Sequence, residues 1–186
     1  MDIDELMLEC EEKMENTLRA FKETLQRART GRANPKMLEG VKIDYYGVET
    51  PINQVAGISV PEATQLYIKP YDKSVLGSIN KAILAANLGV TPQNDGTGIR
   101  IVLPPMTEEN RMATVKECRR ECENSKVAIR NVRSETNNGI NKAEKDKEIS
   151  EDERDAYLKD AQDLTDKFIK ELDAALEIKV NDIMSI

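Results

Sequence analysis

Residues 107–145 read TEENRMATVKECRRECENSKVAIRNVRSETNNGINKAEK, and their apolar or small side chains fall at Met112, Val115, Cys118, Cys122, Ser125, Ile129, Val132, Thr136, Ile140 and Ala143. Steps of three and four trace one face of an α-helix, where each residue turns by about 100°. Pro104-Pro105 stops what precedes, Thr107 offers an N-cap hydroxyl, and no proline follows. The stretch therefore predicts one helix of about ten turns.

Two further segments carry the same kind of stripe. Ile3, Met7, Cys10, Met14, Thr17, Phe21, Leu25 and Ala28 form a near-heptad row among acidic and amide residues. Ser150 with Glu153 gives a capping-box pattern, and it opens a row through Leu158, Ala161, Leu164, Phe168, Leu172, Ala175, Val180 and Ile183. Three long helices, each apolar on one side only, are economically buried against one another as a bundle.

The first helix ends at Arg29-Thr30-Gly31-Arg32-Ala33-Asn34-Pro35, where Gly31 permits unusual backbone angles and Pro35 disfavours helix at Asn34. Beyond it the chain changes character. Val41 to Tyr46, Gln65 to Ile68 and Ile99 to Leu103 read as short strands, Asp72 caps a helix through Ile79, Ala82, Ile83 and Ala86, and all seven prolines lie between Pro35 and Pro105. The expected fold class is α+β. An elongated three-helix bundle, residues 1–30 plus 106–186, carries a small α+β (β/α/β) domain, residues 31–105, inserted between its first two helices.

Composition narrows the chemistry. With no histidine, triads and zinc motifs that depend on it are excluded. Cys10, Cys118 and Cys122 are odd in number, so they do not form a disulfide framework. All three lie in apolar registers, where cysteine serves as a small core residue; a thiolate metal site would need them to converge, and none is expected. Asn94-Asp95-Gly96-Thr97-Gly98 lacks the lysine of a P-loop and the spacing of a dinucleotide fingerprint, so no nucleotide and no other cofactor is expected. The longest apolar runs, such as Ala82 to Ala86, are far short of the ~18 residues that cross a bilayer. The opening Met1-Asp2-Ile3-Asp4-Glu5 has no basic leader, which gives the expectation of a cytoplasmic protein without membrane contact.

The net charge of −7 argues against general nucleic-acid binding, so any RNA contact must come from a local patch. A helical wheel of residues 107–145 supplies one. Arg119, Lys126, Arg130 and Arg133 gather on a flank about 85° from the apolar stripe, whereas Glu117, Glu121 and Glu135 take the opposite flank. Arginine suits phosphate because its planar fork holds two oxygens at once. The plain alternative is a solvated face of charges paired with Glu along the helix, and Glu123, on the basic side, favours it. Arg27, Arg29, Arg32 and Lys36 form a second basic group at the joint, with Arg111 just past the other crossing. An arginine near a helix end can instead satisfy its carbonyls. Tyr45, Tyr46, Tyr67 and Tyr71 offer rings for base stacking, but strand alternation assigns most of them to the core or the sheet surface.

Arg29 to Ala33, Asp44-Tyr45-Tyr46-Gly47, Leu103 to Glu109, Arg130-Asn131-Val132-Arg133 and Lys145 to Asp152 occur in the order found in the ribosome recycling factor family, which the whole chain resembles. That resemblance implies a non-enzymatic, monomeric translation factor, L-shaped like tRNA. It implies partners, namely the 70S ribosome, chiefly its large-subunit rRNA, and elongation factor G with GTP, and an activity of disassembling post-termination complexes. It also implies RNA contacts at Arg29, Arg111, Arg130 and Arg133, to which the wheel adds Arg119 and Lys126. Gly31, Arg32, Pro104 and Pro105 are the expected hinge; ordinary rigid turns are the competing reading. The chain departs from the family's commoner pattern at Ser134 and Glu135, in a region often more basic, and at Gly139 inside a helix. Two other classes compete. An adaptor coiled coil would bind a protein partner through its helices, and a carboxylate hydrolase would need a pocket around paired acids.

Overall fold

The computed structural model describes residues 2–185. In chain order the elements are α1 (Ile3–Arg27), β1 (Lys42–Tyr45), β2 (Val48–Pro51), the single turn α2 (Ile52–Val55), β3 (Ala56–Glu62), β4 (Gln65–Pro70), α3 (Leu76–Ala85), β5 (Pro92–Asn94), β6 (Ile99–Val102), α4 (Glu108–Lys145) and α5 (Glu151–Met184). They fall into two compact units, one holding the chain up to Ala28 and from Glu109 onward, the other Arg29–Glu108. No helix among the described residues is long and apolar enough to cross a membrane.

In the helical unit α1 runs parallel to α5, since Asp4 meets Tyr157 and Glu11 meets Lys167. α4 runs antiparallel to α5, since Lys126 meets Asp173 and Glu144 meets Arg154. The core between them holds Cys10, Met14, Leu18, Phe21, Leu25, Cys118, Cys122, Ile129, Phe168, Leu172 and Ile183. Leu18 is buried where the heptad reading expects Thr17. A straight helix turns 3.6 residues per turn, so the buried row drifts from a 3.5 repeat, and leucine is the more apolar of the two neighbours. Thr17 instead bonds the Lys13 carbonyl. Met112, the expected start of the α4 stripe, is 60% exposed. The capping box of Ser150 and Glu153 is formed on both sides, closing the N-terminus of α5.

The other unit has two antiparallel sheets, β1-β2 and β3-β4-β6-β5. Alternate residues of β4 and β6, Leu66 and Ile68 with Ile99 and Ile101, pack with Ile43, Ile52, Ile79 and Ile83 in one core. Three strands are present beyond those expected. β3 contains Gly57 and Pro61, residues that argue against a strand; Gly57 pairs regularly with Lys69, and a register shift between Ser59 and Glu62 accommodates Pro61. β5 begins at Pro92 on a sheet edge, where the missing N–H costs no ladder bond, and β2 is only the short return of a hairpin. Tyr46 and Gly47 turn that hairpin with φ of 50° and 84°, and the Gly47 N–H donates to Asp44 at 2.7 Å.

Candidate nucleic-acid interface

α4 sets out the basic flank because 38 residues without proline form one continuous helix, so its rows keep their direction along the whole element. Arg119 and Arg133 lie about 21 Å apart along it. The structure gives the four flank cations different company. Arg119 and Arg130 are exposed and have no ion-pair or hydrogen-bond partner among the described residues. Arg133 is half-buried, and its Nη1 donates to Oε1 of Gln162 at 2.9 Å, a neutral partner. The Lys126 side chain is 14% exposed and is held by carboxylates of Asp173 at 2.7 Å and Glu123 at 3.1 Å. The hydrogen bond to Asp173 raises its pKa above the ordinary lysine value.

These contacts weigh on the plain reading of the charges. Glu123, which could have paired Arg119 one turn away, is taken by Lys126. On the opposite flank Arg120 bonds Glu117 and lies 3.8 Å from Glu121, while Lys13 of α1 lies 3.9 Å from Glu135. The acidic flank is thus partly neutralised by its own neighbours, whereas Arg119, Arg130 and Arg133 keep their charge uncompensated. Of the flank, Lys126 is the member least available to a phosphate.

Near the chain crossings, Arg29 Nη2 donates to the Leu88 carbonyl at 3.0 Å, so it holds a carbonyl of the α3–β5 connection and not one of α1. The last turn of α1 is closed by the Ala28 N–H on Leu25. Arg111 is half-buried, and its Nε is enclosed with no hydrogen-bond partner among the described residues. Gly31 has φ +80°, and the Arg32 N–H donates to Thr30 Oγ1 at 3.2 Å. Ala33 N–H bonds Ala63 and Leu103 N–H bonds Thr64, so both chain segments are tied to the β3–β4 turn at those points. Gly31, Arg32, Pro104 and Pro105 all lie just outside these ties.

Sequence reading missed Gln162 and Asp173, because a contact across two helices leaves no mark in local spacing. The antiparallel register of α4 on α5 would have found them, since Glu144 opposite Arg154 places residues near 126 opposite those near 173. The tyrosines divide: Tyr46 is 81% and Tyr71 76% exposed, whereas Tyr67 donates to Asp95 from a half-buried position. Burial raises the pKa of all three cysteine thiols, which disfavours the thiolate a metal would require. Among the described residues no three His, Cys, Asp or Glu groups are placed to hold a metal ion.

Comparison with known proteins identifies the family of the chain. The family described as ribosome recycling factor matches residues 21–184. The ribosome-recycling factor of Fusobacterium nucleatum subsp. nucleatum is 50% identical over 98% of this chain and 97% of its own length. That of Geobacillus thermodenitrificans is 48% identical, covering 98% of both. Among solved structures, a ribosome recycling factor in solution superposes with a TM-score of 0.81 at 36% identity, covering 100% of this chain and 99% of that one. Another, reported as models for the T. thermophilus ribosome recycling factor and E. coli elongation factor G bound to the E. coli post-termination complex, gives 0.66 at 37% identity, covering 99% of this chain and 100% of that one. With half of the residues identical over 98% of the chain in one relative, and the family model matching residues 21–184, this chain belongs to the ribosome recycling factor family.

Proposed function

We propose that this protein acts with elongation factor G and GTP to disassemble post-termination ribosomal complexes so that the subunits can be used again. The observation that carries the RNA side of this reading is the α4 flank, where Arg119, Arg130 and Arg133 keep uncompensated charge in a chain of net charge −7. Large-subunit rRNA is the partner of that flank, with Arg29 and Arg111 as further contacts; Lys126 serves mainly to pin α4 to α5. The chain segments at Gly31-Arg32 and Pro104-Pro105 act as the hinge on which the inserted unit turns. They lie between the helix ends and the first backbone ties to the sheet, so rotation there breaks no ladder bond.

The work done is differential binding to two ribosome states, with the energy supplied by GTP hydrolysis on elongation factor G. This chain makes and breaks no bond, requires no cofactor, and works as a monomer in the cytoplasm. The test is light scattering of post-termination 70S ribosomes mixed with the protein, elongation factor G and GTP. Scattering falls only when all components are present, and Arg130→Ala with Arg133→Ala suppresses the fall. Absence of both binding and splitting with folded protein would overturn the proposal in favour of an adaptor that binds a protein through its helices.

A further inference from the structure

Gln162 stands in an arrangement that its surroundings fix. Its Oε1 accepts from Arg133 Nη1 at 2.9 Å, and its Nε2 donates to Asp166 Oδ1, one turn on along α5, at 2.8 Å. An amide turned the other way would set its NH2 against the guanidinium and its oxygen against the carboxylate, so Asp166 dictates which end meets Arg133. We propose that Gln162 is a positioning residue for Arg133, holding the guanidinium in the α4–α5 groove with its remaining N–H donors left for an RNA phosphate. This rests on the reading of Arg133 as an RNA contact.

The contrast with Lys126, seven residues earlier in the same row, gives the physical reason for an amide here. Lys126 is held by the carboxylate of Asp173, which fixes the ammonium and also cancels its charge. Gln162 fixes the guanidinium and cancels nothing. A long side chain that is already oriented loses less rotamer freedom on meeting its ligand, and a bidentate grip on phosphate depends on the plane of the fork. The exposure of Gln162 on α5 means that its substitution removes no core contact.

The experiment is a double-mutant cycle of Gln162→Met and Arg133→Ala, reading affinity for isolated large ribosomal subunits and its salt dependence, with thermal midpoints recorded for each protein. Gln162→Met, similar in length and without hydrogen bonds, weakens binding by about 3- to 10-fold in the parent and not at all in Arg133→Ala. Gln162→Glu keeps an acceptor but neutralises Arg133, so it lowers the salt slope by about one, as removal of the arginine does. A Gln162→Met effect of equal size in both backgrounds overturns the proposal, as does no effect in a parent where Arg133→Ala weakens binding. If Arg133→Ala leaves binding unchanged, it is the RNA reading of Arg133 that falls, and the role of Gln162 falls with it.

Discussion

The helical unit and the inserted unit solve the same problem with different residues. The Arg29–Glu108 segment holds eight Lys and Arg against seven Asp and Glu, whereas the rest of the chain holds 19 against 27. Its core is dominated by isoleucine, valine and leucine on sheet faces and on α3, while the bundle core mixes cysteine, methionine, phenylalanine and leucine. β-Branched side chains pack well on a pleated surface, and small or flexible ones fill the narrow seams between long helices. The lesson concerns charge. The unit that carries the basic α4 flank is the more acidic of the two, so its positive charge is a property of one face of one helix and not of the unit as a whole.

Emptying each core in turn separates the two units most strongly. Phe168→Ala removes a ring that is 4% exposed and costs the bundle about 3–5 kcal/mol, and Ile68→Ala costs the inserted unit about 2–5 kcal/mol. Amide hydrogen exchange by residue is the measurement. Protection falls in α1, α4 and α5 for the first variant and in β3, β4 and β6 for the second. Equal loss in both units from either substitution would show a single shared core.

Next in size is Gly98→Ala, at about 1–3 kcal/mol. A Cβ there would sit 2.5 Å from Tyr67 Oη and 2.8 Å from the Ile68 carbonyl, and the latter is backbone that cannot swing aside. Thermal melting followed by exchange within β4 and β6 reads the effect, and an unchanged midpoint would mean that the sheet relaxes there. Smaller again is Ser150→Ala, which removes the capping hydroxyl of α5 and lowers bundle stability by about 1 kcal/mol in denaturant titration.

The smallest expected effect depends on pH. Backbone N–H groups of Thr97 and then Gly98 donate to Asp95 and hold its carboxyl at about 2, below the ordinary 3.8. A depressed acid stabilises the fold above its unfolded value and loses that contribution as pH falls through the folded one. Melting temperature of the inserted unit should therefore decline between about pH 4 and pH 2, and Asp95→Asn should flatten that decline. An identical decline in the variant would assign it to other groups.

The bundle was legible because its signal is redundant. Ten spaced positions in α4, seven in α1 and eight in α5 repeat the same signal, so a single slip such as Thr17 for Leu18 leaves the element intact. The inserted unit was legible in α3 and in those strands that are rich in Ile, Val and Tyr. β3 is written with Gly57 and Pro61, and its strand character comes from pairing with β4, which local propensity does not report. The candidate site divides in the same way. Arg119, Arg130 and Arg133 share a row that the helical period reveals, whereas the amide that holds one of them and the carboxylate that neutralises Lys126 come from a helix about 30 to 50 residues away in sequence. Only the packed register of α4 on α5 brings them together.

The most direct test of the account is the salt dependence of binding to isolated large ribosomal subunits by the parent and by an Arg119→Ala, Arg130→Ala double variant. Two lost phosphate contacts should weaken binding and reduce the magnitude of the log–log salt slope by about two, with the thermal midpoint unchanged because neither arginine has a partner among the described residues. An unchanged affinity and slope in the folded double variant would contradict the assignment of this flank to RNA.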